Sequence, residues 1–116
     1  MGKQKNETGR TYPVRLSLNA QQNIDEITGY IAFINKQPLN AIKVGDAIFL
    51  AIDRIAVDPF VFKECQQLLT KTKMYRQASC YSWNIIYKIT AIEIVILGII
   101  HQARKPSRSR SLRKVK

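Results

Sequence analysis

The apolar residues of this chain change their spacing twice, and that change limits the fold more than any single motif does. Tyr12, Val14, Leu16 and Leu18 alternate with Pro13, Arg15 and Ser17, a period of two that describes a strand with one buried face. Pro13 places the start of this strand near a sheet edge, because proline has no N–H to give to a ladder. From Ile24 the spacing becomes helical, with Ile24, Ile27, Ile31 and Ile34 on one face. Asn19 is the expected N-cap, with Gln22 at the capping-box position. Asn35–Gln37 interrupts the pattern and Pro38 suits the first turn of a second helix. Ala41, Val44, Ile48, Ala51, Ile52 and Ile55 form the stripe of that helix, and Asp58-Pro59 ends it. Strand-like runs come next at Met74–Tyr81, Trp83–Thr90 and Ile92–His101, rich in β-branched and aromatic residues and joined by links short enough for hairpins. The last run is apolar on both faces, as a central strand is.

This order describes one α+β domain: an N-terminal strand, an antiparallel helix hairpin, then a three-stranded antiparallel meander, with the helices packed on one face of a twisted sheet. The other face is expected to stay open. Residues 1–11 read as a flexible lead-in, 12–104 as the folded domain and 105–116 as a basic, disordered tail. Phe60 and Phe62 are expected to pin the loop after the second helix to the core.

Charge divides the chain unevenly. The formal total is +11, and after Phe60 only Glu64 and Glu93 oppose the lysines and arginines. That asymmetry points to a polyanionic partner: nucleic acid, an acidic protein or an anionic surface. Cys65 and Cys80 fit no metal spacing and are expected to be free thiols in a reducing cytoplasm. Neither a metal nor a cofactor is implied. The most apolar stretch, Ile94–Ile100, is far shorter than the ~20 residues a membrane-spanning helix needs, so no membrane role is expected.

At this point the residues resemble a known family. The order of elements is similar to that of the RelE/ParE superfamily of type II toxin–antitoxin toxins. Trp83-Asn84-Ile85-Ile86-Tyr87 stands where that superfamily shows Tyr-Arg-X-X-Tyr, and the run from Glu93 to Arg104 resembles its final strand, which often ends His-Gly-X-Arg. Tyr30-Ile31 and Ile55-Ala56 before Asp58-Pro59 also fit. The resemblance covers residues 12–104. It implies a bacterial toxin that arrests growth, of the kind that stabilises plasmids, neutralised by a cognate antitoxin. The implied target is either DNA gyrase (ParE-like) or mRNA on the ribosome (RelE-like, a metal-independent endoribonuclease); no small-molecule substrate is implied.

The residues favour the ParE-like side. RNA cleavage through the 2′-OH needs a base, an acid and cations around the pentavalent phosphate. Asn84 occupies the position of the arginine in Tyr-Arg-X-X-Tyr, and no Tyr, His or Phe comes after His101. Should the chain be a nuclease, Arg76, Arg104 and His101 are its candidate catalytic residues. His101 reads either as a base or as a strand-end histidine, and Arg104 either as a bidentate anion grip or as a solvated charge. Lys71, Lys73, Arg76, Arg104, Lys105, Arg108 and Arg110 are the candidates for binding a target or polyanion. Tyr75, Tyr81, Trp83 and Tyr87 read as core or as stacking platforms. A non-toxic nucleic-acid-binding module is the remaining alternative.

Overall fold

The computed structural model describes residues 11–116, so the expected lead-in lies, apart from Thr11, outside the described residues. β1 (Val14–Leu16) is followed by α1 (Leu18–Gly29) and α2 (Pro38–Val57), then by a 3-10 turn at Gln66–Leu68. β2 (Tyr75–Cys80), β3 (Trp83–Ile89) and β4 (Ile94–His101) come next, and α3 (Pro106–Arg110) runs into a second 3-10 turn at Ser111–Lys114. The sheet order is β1-β4-β3-β2. The meander is antiparallel and β1 joins parallel to β4, so β4 is a central strand, as its two apolar faces require.

α2 forms as its stripe dictates. Pro38 stands in its first turn, and all six expected stripe residues are buried against the sheet and α1. α1 departs from expectation at both ends. Its N-cap is Ser17, whose Oγ accepts from the Ala20 N–H at 3.0 Å, so the helix starts earlier than an Asn19 cap would give. At the other end α1 continues without a break into a π-helical turn, Tyr30–Ile34, in which the Asn35 N–H reaches the Tyr30 carbonyl at 3.0 Å. The extra residue in that turn rotates the downstream side chains by about 100°. Ile34 thereby leaves the buried face and is 64% exposed.

Two devices join α1 to β4. β1 stops at Leu16, opposite Ile96, and side chains of α1 then take its place along the β4 edge. Ser17 Oγ and Asn19 Nδ2 donate to the Leu97 carbonyl at 3.0 and 2.9 Å, and Asn23 Oδ1 accepts from the Ile99 N–H at 2.9 Å. This close approach needs Gly98. A Cβ there would sit 3.0 Å from Asn19 Nδ2, Asn23 Oδ1 and Leu112 Cδ2. A bulge occurs at the same place, since Ile86 pairs with Gly98 but Tyr87 with Ile96. The skipped residue resets the alternation: Ile94, Ile96 and Ile99 face the helices, while Val95, Leu97 and Ile100 face the other way.

That other face is not open. Tyr75, Ile86, Val95 and Leu97 form a second cluster with Cys65 and Leu68 below the loop and with Leu112 from the chain's last segment, and Val115 packs against it. The segment expected to be a disordered tail is therefore folded. Its basic composition conceals two apolar residues, Leu112 and Val115, that a short helical path brings onto the sheet. Arg113 lies over the Tyr75 ring at 5.8 Å, and Arg15 Nη1 donates to the Lys116 carbonyl at 2.7 Å.

Candidate functional site

The sheet separates the expected site residues into two groups. Lys71 and Lys73 precede β2, and Arg76 lies near its start, paired with Tyr87 of β3. His101 ends β4, paired with Trp83 at the other end of β3, and Arg104, Lys105, Arg108 and Arg110 come after it. Four residues of β3, roughly 13 Å, separate these two rows. No common cluster of Arg76, Lys73 and Arg104 forms.

Arg76 is committed to structure. Strand alternation puts it on the helix side with Ala78 and Cys80 rather than on the face expected to carry charge. Its Nε donates to the Lys73 carbonyl at 2.9 Å, and Nη1 donates to those of Phe60 and Phe62 at 3.0 and 2.9 Å. The guanidinium also lies 5.6 Å from the centre of the Phe60 ring. It closes the loop between α2 and β2. Beside it, the Tyr87 hydroxyl donates to the Pro59 carbonyl at 2.6 Å, and burial drives the phenol pKa well above the usual tyrosine value, against a smaller opposing pull from Arg76. Tyr87 is thus core and no stacking platform. Tyr75 is core of the second cluster, and Tyr81 is exposed at the β2–β3 turn with φ +52°.

The other end of the sheet holds a cleft of about 640 Å³. It opens where β1 has run out, between α1 with its π turn, the end of β4 and α3. His101, Arg104 and Arg108 line it, as do Trp83 of β3 and Glu26, Tyr30 and Asn35 of the first helix and its π turn. His101 meets Trp83 edge to face at 5.7 Å, and its Nδ1 accepts from the Ala103 N–H at 3.1 Å. The neutral ring therefore carries its proton on Nε2 and can act there as a donor. Among the described residues no carboxylate bonds to His101, and the side chains of Arg104 and Arg108 have no hydrogen-bond or ion-pair partner. The two acids of the C-terminal half are engaged elsewhere: Glu93 with Arg15 at 3.1 Å, Glu64 with the Thr70 N–H at 3.3 Å. Lys105 and Arg110 are exposed and outside the cleft lining, as are Lys71 and Lys73. Glu26, Asn35 and the asparagines of α1 carried no signal as site residues in the sequence. They reach the cleft through the place where β1 ends and through the π turn, neither of which has a composition.

Among the described residues no group of three His, Cys, Asp or Glu side chains could hold a metal, and no helix is long and apolar enough to cross a membrane. Cys65 and Cys80 are free and buried, and burial raises both thiol pKa values.

The model of the ParE toxin of the type II toxin–antitoxin system parDE matches residues 14–106. The chain belongs to the ParE toxin family. It is thus a toxin of a type II toxin–antitoxin system, within the superfamily its motifs resemble. The fold agrees. A chain of the chromosomal ParDE system of P. aeruginosa superimposes with a TM-score of 0.62 at 16% identity, covering 78% of this chain and 96% of that one. A chain of the RelBE2 complex of Mycobacterium tuberculosis gives 0.53 at 19% identity, with 82% and 95% covered. No curated protein matches in sequence. In this ParE-family toxin the cleft and the Arg76 clamp thus lie at opposite ends of a sheet shared with both complexes.

Proposed function

We propose that this toxin arrests bacterial growth in the cytoplasm by binding DNA gyrase, and that a cognate antitoxin holds it inactive. The observation that carries the reading is the commitment of Arg76, the cation expected on β2, to three loop carbonyls away from Arg104. A nuclease of this size needs several charged groups around one phosphate, within hydrogen-bond reach of it. Here Arg76 is spent on three carbonyls, and Arg104 lies beyond the far end of the strands. An inhibitor by binding has no such requirement. The family match over residues 14–106 supports the same side.

The helix hairpin suits the antitoxin. Its turn presents Phe33 at 80% and Leu39 at 81% exposure, with Tyr30, Ile42, Phe49 and Leu50 also exposed. An apolar area of this kind on a small chain marks a partner surface, and an amphipathic segment that folds on binding is the occupant it fits.

Tightly induced expression tests the reading. The expected result is growth arrest with filamentation, a DNA-damage response and intact transcripts, relieved by co-expressed antitoxin. Transcripts cut in phase with codons on translating ribosomes would replace gyrase binding with mRNA cleavage. Harmless expression would leave a non-toxic nucleic-acid-binding module. A Phe33→Glu variant is expected to remain toxic and to escape the antitoxin.

A further inference from the structure

We infer that the cleft between α1, the end of β4 and α3 is a binding site for a nucleotide: a phosphate carrying a ribose and a flat base. The inference does not rest on the gyrase reading, and its test uses the purified chain alone.

Three chemistries converge in the cleft, and each sets a condition on the ligand. Arg104 lies in the bend before α3 and Arg108 within α3, and neither guanidinium has a partner among the described residues. Arg15 and Arg76, by contrast, are both tied down. Two unpaired guanidinium groups facing one cleft call for an anion with several oxygens, and phosphate matches their planar donor fork. His101, whose Nδ1 accepts from the Ala103 N–H, turns Nε2 to them as a further donor. Trp83 and Tyr30 line the cleft from opposite elements, β3 and the π turn, and provide flat apolar surfaces for a ring. Glu26 and Asn35 lie on the α1 side. A carboxylate there repels phosphate, so the phosphate belongs on the α3 side, and the rest of the ligand must present O–H or N–H donors to Glu26. A ribose diol or a base edge does so.

Inorganic phosphate satisfies only the first condition, and ribose 5-phosphate lacks the ring. A nucleotide satisfies all three, and the volume of about 640 Å³ lies within the range of small-molecule sites. The floor is also preformed. Asn19 and Asn23 are fixed by their bonds to the β4 edge, and Leu112 holds the α3 segment against the sheet.

Trp83 is the only tryptophan in the chain, so its fluorescence reports on the cleft directly. The full-length toxin would be titrated with AMP, UMP, ribose 5-phosphate, inorganic phosphate, a tetraglutamate peptide and a 5′-phosphorylated tetranucleotide. Saturable quenching by a mononucleotide is expected, at about tenfold lower concentration than by inorganic phosphate or ribose 5-phosphate, the scale of a stacked base. The tetranucleotide separates two sources of one chemistry. If it binds more tightly than the mononucleotide the ligand is a strand end, and if it binds equally the ligand is a free nucleotide. The pair Arg104→Ala/Arg108→Ala is expected to weaken binding by about tenfold or more, as loss of charge-assisted hydrogen bonds does. Lys71→Ala/Lys73→Ala, which removes equal charge at the far end of the sheet, is expected to leave binding unchanged. If circular dichroism shows the alanine pair unfolded, Arg104→Lys/Arg108→Lys keeps the charge and removes the fork, and is expected to weaken binding as well. Equal effects of the arginine and lysine pairs would overturn the inference, as would quenching by tetraglutamate or inorganic phosphate that matches the nucleotide, or no saturable quenching at all.

Discussion

The two faces of the sheet are covered in opposite ways. One lies beneath two long helices, whose isoleucines, valine and alanines meet Ile85, Tyr87, Ile94 and Ile96 in a single apolar cluster. The other is closed by a 3-10 turn and a basic segment that contributes Leu112 and Val115. A regular stripe on a 20-residue helix covers a face through repetition, with each large side chain contributing about 1.5–3 kcal/mol. A short irregular segment covers one through one or two anchors, so a single substitution can release it.

The comparison predicts unequal responses. Ile55→Ala, at a fully buried position of α2, is expected to cost about 3–4 kcal/mol and to move the whole urea transition. Arg76→Ala leaves three carbonyls of the α2–β2 loop without their charged donor and is expected to cost about 2–3 kcal/mol. If Arg76 were instead a catalytic group, the variant would lose toxicity at unchanged stability. Leu112→Ala is expected to cost about 2 kcal/mol and to act locally, with trypsin cutting residues 104–116 well below the global melting temperature. A transition shifted as far as in Ile55→Ala would show instead that the two faces unfold as one.

Alkaline pH probes both faces together. Burial raises the folded pKa values of Cys65, Cys80 and Tyr87, so the folded state resists ionisation that the unfolded chain accepts. Their contribution is complete below the ordinary values. It falls as pH rises above about 8.5 for the thiols and about 10 for the phenol. The urea midpoint is expected to fall progressively from about pH 8.5, and Cys65→Ala/Cys80→Ala should delay the onset towards pH 10. An unchanged onset in that pair would exclude the thiols as its cause. The smallest effect is a gain. Tyr81 holds φ +52° at the β2–β3 turn, and Tyr81→Asn is expected to stabilise by about 0.5–1 kcal/mol in the same assay.

The helix-covered face was legible because it repeats. The α2 stripe, the Pro38 start and the central position of β4 all derive from spacing, and the strand–hairpin–meander order derives from the two changes of period. Features with no period leave no such trace. The π turn displaced Ile34, the bulge beside Gly98 reversed the alternation of β4, and Ser17 rather than Asn19 capped α1, with both side chains also donating to the Leu97 carbonyl. The folded tail escaped notice since two apolar residues among so many cations make no pattern. Of the candidate site, His101, Arg104 and Arg108 were named from their residue types and do share a cleft. Arg76 was placed with them by charge, which is blind to the carbonyls that surround it.

The parallel pairing of β1 with β4 also sets the order in which the molecule can be made. Arg15 and its partner Glu93 are 78 residues apart, and at 5–20 residues per second a ribosome needs about 4–16 s to add that much chain. Until then α1 and α2 have no sheet to lie on, and the contacts that order them are among the most distant in the sequence, which slows folding further. The α1–β4 seam that forms the floor of the cleft is therefore among the last parts to assemble. A nascent chain carries the helices of this toxin for seconds before it carries its function.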